Sequence, residues 1–245
     1  METMELKIAH LYPDLLNLYG DRGNILCLSK RCEWRGIQTK ITEYQLDDDL
    51  DLSDVDILFL GGGSDREQQI VTKRLLDMKS EIQAYVENGG VLTAICGGYQ
   101  LIGHYYNLEN EKIKGLSLVD SYTEAKPNRL IGNIVIKSTL EGQTESIVGF
   151  ENHAGRTYIG DHEPLGKVVC GFGNNAEDQT EGILYHNIVG TYLHGPLFPK
   201  NPKLADFIIK RALQQKCPSG FDFPDLDDTA ENTANEYIVN RFAKK

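Results

Sequence analysis

A cysteine followed by two glycines stands where an apolar segment of the sequence ends. Val91–Ile95 is a β-branched apolar run typical of a strand, and after Cys96, Gly97 and Gly98 the pattern becomes helical over residues 99–102. A strand, a sharp turn and a helix form a nucleophile elbow, which lifts one side chain clear of the sheet. The positive end of the helix predicts a lowered pKa for the Cys96 thiol. The alternative is a small buried core cysteine.

A histidine stands at the end of the last apolar run before the C-terminal region. Residues 188–193 read as a strand that leads into His194, and the carboxyl ends of strands are where α/β sheets place their chemistry. A thiol nucleophile needs a base that takes its proton and returns it to the leaving group, and histidine titrates near neutral pH. We therefore predict that Cys96 and His194 act together and that the leaving group departs as ammonia. His153 is the best rival, although we favour a structural role for it.

Three consecutive glycines, Gly61 to Gly63, follow another apolar strand. A phosphate-binding loop would need the Lys-Ser/Thr ending of a Walker motif or a GxGxxG fingerprint, and neither is present. A tight turn accounts for one or two glycines, whereas three favour the close approach of a ligand. We expect backbone N–H groups here and at Gly97 to stabilise a developing oxyanion.

Composition excludes several classes of function. The net charge of −11 argues against nucleic acid as a partner and against an anionic membrane surface. The five cysteines form no CxxC pair, which argues against a zinc site and indicates a reducing cytoplasm. The acidic run at 47–51 reads as a solvated loop, so we expect no metal site. No apolar stretch approaches the roughly 18 to 20 residues of a membrane-spanning helix, and we expect no membrane insertion.

The remaining pattern predicts one α/β domain of about 200 residues with a mainly parallel sheet and a small antiparallel excursion between about Lys114 and Leu193. The domain covers residues 1–216, and 217–245 form a tail that is either a solvated extension or a docking element. The predicted elements are strand 6–11, helix 24–35, strands Gln38–Tyr44 and 55–60, helix 66–88, strands 130–137, 147–150, 167–172 and Ile183–Tyr185, and helices 201–215 and Thr229–Phe242.

A set of short motifs extends these observations. ICGGYQ, with GGGSDREQ upstream and GTYLHG downstream, resembles the triad-type (class I) glutamine amidotransferase superfamily in its cobyric-acid-synthase-like branch. Together with LNLYGDRGN, NRLIGNIVI, GFENHAGRTY and GFGNN, the set is similar to the GatD family, the amidotransferase subunits of lipid II isoglutaminyl synthase. The resemblance covers about residues 16–200 and implies a flavodoxin-like, three-layer class I amidotransferase fold.

The resemblance also implies roles for individual residues. Cys96 would form a glutamyl thioester, and His194 would be its base. The backbone N–H groups of Gly62, Gly63 and Gly97 would form the oxyanion hole. The resemblance further implies that L-glutamine is bound by Gln100 and Arg129; a guanidinium suits bidentate pairing with the α-carboxylate of that substrate.

One departure from the family pattern concerns the base. Many triad amidotransferases carry a carboxylate two residues after the histidine, where this chain has Pro196. The sequence does not assign the orienting acid to any residue, and we hypothesise that a partner supplies it. The isolated chain should then be a poor glutaminase.

The sequence also lacks a recognisable ATP site, although amidation of a carboxylate requires activation of that carboxylate. We therefore expect no cofactor on this chain and expect ATP and Mg on a partner. The resemblance implies that this partner is a MurT-like, Mur-ligase-type subunit. The pair would convert the D-isoglutamate of the lipid II stem peptide to D-isoglutamine. The alternatives are an amidotransferase subunit of the cobyrinic or cobyric acid synthase type, and a catalytically silent binding subunit with Cys96 as a redox-sensitive thiol.

Overall fold

The computed structural model describes residues 4–108 and 111–243. Its strands are β1 (Glu5–Leu11), β2 (Gln38–Tyr44), β3 (Ile57–Leu60), β4 (Val91–Ile95), β5 (Tyr105–Asn107), β6 (Lys112–Lys114), β7 (Tyr122–Leu140), β8 (Gln143–Tyr158), β9 (Gly166–Cys170), β10 (Thr180–Glu181), β11 (Ile183–Tyr185) and β12 (Ile188–Thr191). Its α-helices are α1 (Arg22–Glu33), α2 (Asp65–Asp77), α3 (Lys79–Glu87), α4 (Gly97–Ile102), α5 (Pro202–Lys216) and α6 (Thr229–Phe242).

The first sheet has the strand order β2-β1-β3-β4-β12-β11, and all of its pairs are parallel except the one between β11 and β12. The order of the first five strands is that of flavodoxin-like folds, in which ligands bind beyond the carboxyl ends of the strands. Every residue of β3, β4 and β12 is buried, as expected for parallel strands covered on both faces. The predicted α/β class with a mainly parallel sheet is therefore confirmed.

The second sheet is mainly antiparallel and larger than the short predicted strands indicated. Its centre is a long hairpin of β7 and β8, flanked by β5, β6, β9 and β10. The hairpin turns at Glu141 and Gly142, which have φ values of 50° and 80°. Two consecutive positive φ values are typical of a type I′ turn, whose twist matches that of the two strands.

An irregularity in this hairpin places Arg129. The pairing of β7 with β8 shifts register between Ala125 and Leu130, so residues 126–129 bulge from the ladder. Pro127, which has no N–H to donate to a ladder, lies inside the bulge. The Arg156 guanidinium donates to the Asn128 carbonyl (2.7 Å) and fixes the bulge against β8. Arg129 is thereby held at the edge of the second sheet that faces the first.

The predicted helix over 66–88 is wrong in one respect, because it is two helices. Met78 has φ −100° and ψ 9° and separates α2 from α3. Its side chain is buried, and its sulfur lies 4.0 Å from the Tyr12 hydroxyl. The change of direction at Met78 lets both helices keep apolar residues in the core, among them Val71 and Ile82.

The C-terminal segment is attached to the domain by a buried ion-pair network. The Arg31 guanidinium on α1 donates to Asp206 on α5 (2.7 and 2.8 Å) and to Asp228 (2.7 and 3.1 Å), which precedes α6. Arg35 donates to Asp206 and to the Pro224 carbonyl, at 2.8 Å in each case. The predicted domain (1–216) begins with residues 1–3, and the predicted tail (217–245) ends with residues 244–245. These terminal residues lie outside the described part of the chain.

In the part of the chain that the structure describes, no helix combines the length and apolar character needed to cross a bilayer.

Arg31→Met should strongly destabilise the protein. The substitution leaves Asp228 buried without its cation, and breaking a buried ion pair costs about 3–5 kcal/mol. The adjacent Lys30→Met is the matched control, because Lys30 pairs with Glu33 at the surface, where such pairs contribute about 0–1 kcal/mol. Urea unfolding of both variants measures the difference. Equal free energies of unfolding in the two variants would contradict the assignment of the network.

Candidate active site

The backbone of Cys96 is strained at the junction of β4 and α4. Its φ of 49° and ψ of −102° lie in a region that side-chain-bearing residues rarely adopt. The Cys96 N–H donates to the Thr191 carbonyl of β12 (2.8 Å), and the Gly98 N–H donates to the Gly61 carbonyl (3.1 Å). A Cβ atom on Gly98 would lie 2.5 Å from the Leu60 carbonyl oxygen, so this position requires glycine. The predicted nucleophile elbow is therefore present.

A pocket of about 130 Å³ opens at this elbow, beyond the carboxyl ends of the parallel strands. Three of the predicted site residues with side chains line it, namely Cys96, Gln100 and Arg129. Tyr19 and His153 also line it, whereas His194 lies behind Tyr19.

His194 follows β12 and joins the two sheets. Its N–H donates to the Phe150 carbonyl (3.0 Å), and its carbonyl accepts from the Phe150 N–H (3.2 Å). Its ring stacks on the Tyr19 ring with centroids 3.9 Å apart and planes 16° from parallel. Among the described residues, the buried Nε2 atom has no hydrogen-bond partner, so no hydrogen bond joins it to Cys96.

The His194 imidazole is neutral at physiological pH. Burial, followed by the neighbouring His153 and Lys200, lowers its pKa to about 4. A neutral imidazole with an unpartnered nitrogen can accept a proton. No carboxylate of the described residues hydrogen-bonds to this ring, which leaves the hypothesis of an orienting acid from a partner open.

The predicted lowering of the Cys96 pKa is wrong. Burial raises the pKa of the thiol to about 12, and the Asp21 carboxylate adds to the rise. The Tyr19 hydroxyl, the Gly97 N–H and Arg129 favour the thiolate but do not offset the loss of solvent. Desolvation therefore outweighs the partial charge of a short helix. The resting thiol is protonated and needs a base.

The prediction that Gly62 contributes an N–H to the oxyanion hole is also wrong. That N–H already donates to the buried Asp21 carboxylate (2.9 Å). The Gly97 N–H, which follows Cys96 in the chain, makes no hydrogen bond among the described residues. Gly63 lines the pocket, and within residues 4–108 and 111–243 no hydrogen bond occupies its N–H. Gly63 and Gly97 thus remain as candidate donors.

Gly61 and Gly62 of the triple glycine are packed against the protein's own loop, whereas Gly63 also lines the pocket. A Cβ atom on Gly61 would lie 2.1 Å from the Leu16 carbonyl oxygen, and one on Gly62 would lie 2.7 Å from the Tyr19 ring. The loop between β1 and α1 therefore requires the glycines, and it brings Tyr19 and Asp21 into the site. Sequence reasoning missed both residues as site residues, although the motif LNLYGDRGN contains them.

Arg129 can hold an anion at the mouth of the pocket. Its Nε and Nη2 atoms donate to the side chain and carbonyl of Asn152, at 2.8 Å in each case. Among the described residues its Nη1 atom makes no hydrogen bond, so one end of the guanidinium remains for a ligand.

Gln100 is more constrained than predicted. Its Nε2 donates to the Tyr192 hydroxyl (3.2 Å), and its Oε1 accepts from Gln68 Nε2 (3.0 Å). Both ends of the amide are thus engaged, and a contact with substrate would use the remaining capacity of those atoms. Gln68, a further pocket residue, was missed although it lies in the motif GGGSDREQ; its Oε1 is buried without a partner.

His153 fits the structural role that the sequence favoured. Its ring stacks on Tyr192 with centroids 3.6 Å apart. Its Nδ1 contacts the Gly155 carbonyl (2.8 Å), and its Nε2 lies 3.5 Å from Glu151. Both nitrogens are therefore occupied, unlike those of His194.

The arrangement suits acyl transfer to sulfur. The Cys96 thiol, Gly63 and Arg129 line one small pocket. The neutral His194 imidazole stacks on Tyr19, which is also in the pocket wall, and the Gly97 N–H follows the thiol in the chain. These groups correspond to nucleophile, base, oxyanion donors and carboxylate anchor. In the part of the chain that the structure describes, no group of three or more His, Cys, Asp or Glu residues is placed to hold a metal ion.

Comparison with known proteins agrees with this geometry. Residues 7–202 match the family model of the CobB/CobQ-like glutamine amidotransferase domain. The lipid II isoglutaminyl synthase (glutamine-hydrolyzing) subunit GatD of Staphylococcus aureus (strain N315) is 44% identical over 97% of this chain and 96% of its own length. The protein of the same name from Streptococcus pneumoniae (strain ATCC BAA-255 / R6) is 43% identical over 95% of this chain and 90% of its own length.

More distant similarities concern only part of a protein or only the fold. A cobyric acid synthase of Listeria innocua is 30% identical over 59% of this chain but only 29% of its own length. The structure of PurLQS from Thermotoga maritima superimposes with a TM-score of 0.55 at 17% identity, covering 88% of this chain and 99% of that chain.

The buried Asp21 should make stability fall as pH rises. Burial raises its pKa from 3.8 to about 6, despite the hydrogen bonds from Gly62 and Asn24. Because the folded protein binds the proton more tightly, the stabilisation is complete below the unfolded pKa and is lost as pH rises through about 6. Asp21→Asn removes this dependence. When pH rises from 4 to 7.5, the free energy of unfolding of wild type should therefore fall by about 2 kcal/mol more than that of the variant.

Urea unfolding across this pH range measures the effect. The exposed Asp47→Asn variant is the control and should follow the wild-type pH dependence. Parallel pH profiles for Asp21→Asn and wild type would show that Asp21 is not the group that titrates.

Proposed function

The chain belongs to the CobB/CobQ-like glutamine amidotransferase family, and we propose that it is the glutamine-hydrolysing subunit of a lipid II isoglutaminyl synthase. The observation that carries the proposal is the strained, buried Cys96 at a pocket that Arg129 also lines. The identity of 44% along almost the full length of the Staphylococcus aureus GatD subunit supports the choice of this branch over the cobyric acid synthases.

Glutamine binding begins at Arg129. Its Nη1 atom would pair with the α-carboxylate of L-glutamine, while Asn152 holds the other side of the guanidinium. This anchor directs the side-chain amide of the substrate inward to Cys96. Gln100 and Gln68 shape the wall between these two ends of the pocket.

Hydrolysis then proceeds through the thiol. The proton of Cys96 Sγ moves to His194 Nε2, and the thiolate attacks the amide carbon of glutamine. The N–H groups of Gly63 and Gly97 stabilise the oxyanion. The imidazolium returns its proton to the leaving nitrogen, ammonia departs, and a glutamyl thioester remains on Cys96. Water, deprotonated by His194, then attacks the thioester, the C–S bond breaks to release glutamate, and the imidazolium returns the proton to the Cys96 sulfur.

A second subunit completes the reaction. We propose a MurT-like, Mur-ligase-type partner that binds ATP and Mg, whereas this chain binds no cofactor. The partner receives ammonia along a sheltered path, because ammonia released into water would be protonated and lose its nucleophilicity. It amidates the D-isoglutamate α-carboxyl of the lipid II stem peptide to D-isoglutamine. We place the assembly in the cytoplasm.

The partner also supplies the missing orienting acid in this proposal. No carboxylate of the described residues hydrogen-bonds to the His194 ring, and none is among the groups that shift its pKa, which supports this assignment. A carboxylate docked at the imidazole would raise its pKa and fix its orientation.

Ammonia release should therefore depend on the partner and on both predicted catalytic residues. We expect the purified chain alone to hydrolyse glutamine slowly and to accelerate at least about tenfold when a MurT-type subunit is added. Cys96→Ala and His194→Ala should abolish the accelerated rate, while Cys170→Ala, on β9, should retain it. Coupled detection of ammonia measures each rate. A wild type that stays silent with partner, ATP and lipid II would favour the binding-subunit alternative.

Arg129→Ala should act mainly on glutamine binding. Loss of a charge-assisted pair weakens binding by about 1.5–3 kcal/mol, so KM should rise by roughly 10- to 100-fold with a smaller change in kcat. Lys126→Ala, in the same bulge, is the matched control and should leave KM unchanged. Steady-state kinetics of the assembled complex provides both constants. A fall in kcat at constant KM would contradict the role of Arg129 in binding.

A further inference from the structure

Tyr19 contacts both members of the predicted catalytic pair. Its ring stacks on the His194 imidazole at 3.9 Å. The ring also lies next to Cys96, because a Cβ atom on Gly62 would meet both the Tyr19 ring and the Cys96 Cβ atom, although no hydrogen bond joins the hydroxyl to the resting thiol among the described residues. Tyr19 also lines the pocket. None of the roles proposed for the pocket residues uses Tyr19, although a large, half-buried polar side chain beside a nucleophile and its base affects both of them.

The surrounding backbone holds Tyr19 in this position. The absent side chain of Gly62 leaves room for the Tyr19 ring, because a Cβ atom there would lie 2.7 Å from ring atom Cδ2 and 3.2 Å from the Cβ of Cys96. The neighbouring Leu18 N–H donates to the Gly62 carbonyl (3.0 Å), and Gly20 turns the chain with a φ of 80°. The ring therefore occupies a fixed place between the first-sheet loops.

The chemistry of the proton transfer makes such a neighbour useful. Moving a proton from Cys96 to His194 creates a thiolate and an imidazolium in a site from which solvent is largely excluded. Burial disfavours both charges, as the raised pKa of Cys96 and the lowered pKa of His194 indicate. Burial also raises the pKa of Tyr19 far above neutrality, so its hydroxyl remains a donor.

We propose that Tyr19 is a further catalytic residue for glutamine hydrolysis, whose hydroxyl donates a hydrogen bond to the Cys96 sulfur as the thiolate forms while its ring face stabilises the His194 imidazolium. The proposal rests on the function proposed above. In the step concerned, the proton leaves Sγ for Nε2, the S–H bonding pair stays on sulfur, and the Tyr19 O–H bond remains intact. A hydrogen bond to an anion and a cation over a ring face are both stronger where water is excluded.

The other ionisable groups around the pair are placed differently. Near Cys96, the Asp21 carboxylate disfavours a thiolate, and Arg129 acts through its charge from the pocket mouth. Near His194, His153 and Lys200 disfavour an imidazolium.

Tyr106 and Tyr192 are also close enough to Cys96 for a thiolate there to raise their pKa values, but their hydroxyls interact with other residues. Tyr106 interacts with Asp65, and the Tyr192 hydroxyl lies 2.6 Å from Thr157 Oγ1. Among the groups described here, Tyr19 alone both stacks on His194 and lies next to Cys96.

Tyr19→Phe tests the hydroxyl, because it preserves the ring and its stacking. A hydrogen bond to a charged group changes the thiolate fraction about tenfold, and a more basic thiolate is a somewhat better nucleophile. Alkylation of Cys96 by iodoacetamide should therefore slow roughly three- to fivefold at each pH between 7 and 9. Peptide mass spectrometry gives the rate constant for every cysteine separately.

The other cysteines of the chain serve as internal controls. Cys170 and Cys217 are partly exposed and should react at unchanged rates, and the buried Cys32 should stay protected. Tyr237→Phe, on the exposed face of α6, is the matched substitution and should leave all rates unchanged. An unchanged or faster reaction of Cys96 in Tyr19→Phe would overturn the proposal; the faster reaction would show that Tyr19 shields the thiol.

A second variant tests the ring. In the assembled complex, Tyr19→Phe should lower kcat for ammonia release, and Tyr19→Leu should lower it roughly threefold or more further because stacking on His194 is lost. Equal kcat values for Phe and Leu would overturn the role of the ring. A wild type that releases no ammonia would contradict the proposed function. The alkylation rates would still test the effect of Tyr19 on the thiol, because alkylation does not require glutamine.

Discussion

The positive φ of Cys96 is the constraint on which the rest of the site depends. A non-glycine residue in such a conformation costs about 1–3 kcal/mol, and it persists only when its surroundings over-determine it. Here β4 is buried at every residue, the Cys96 N–H is bonded to β12, and the following turn is bonded to the loop after β3. The carboxyl ends of three parallel strands therefore fix the position of the thiol, and the groups that act on it come from the loops beyond those strands.

Burial sets the chemical character of this site. Both partners of the proton transfer are neutral at rest, since desolvation raises the pKa of Cys96 to about 12 and lowers that of His194 to about 4. Charge separation between them thus requires stabilisation from neighbouring groups, from substrate or from another subunit. We therefore expect the isolated chain to have low activity. Low activity would prevent the loss of ammonia when no acceptor subunit is bound.

The sequence predicted the elements whose signals are local. The apolar run before Cys96, the glycines after it and the strand before His194 all stand where the structure has them, because strand-turn-helix patterns depend on adjacent residues. Interactions between segments that are distant in the chain could not be predicted from the sequence. The bond from Gly62 to Asp21 and the stacking of Tyr19 on His194 depend on a loop 40 or more residues away along the chain.

Three other features also depend on contacts between distant segments. The break at Met78 arises from core packing against Tyr12, which outweighs an uninterrupted helical pattern. The thiol pKa depends on how deeply Cys96 is buried, and a helix N-terminus alone does not reveal that. Pro127 is the only sign in the sequence of the register shift that places Arg129. A proline at this position indicates a bulge only when the pairing of β7 with β8 is known.

The central claim is that Cys96 carries a glutamyl group during turnover. It is tested most directly by mixing the assembled complex with glutamine, quenching in acid within the first turnovers, and measuring the intact mass and peptide masses of this chain. The account predicts a glutamyl adduct on Cys96 that decays on the time scale of turnover and is absent from Cys96→Ala. Ammonia release at the wild-type rate by Cys96→Ala, or a glutamyl adduct on another residue, would contradict it.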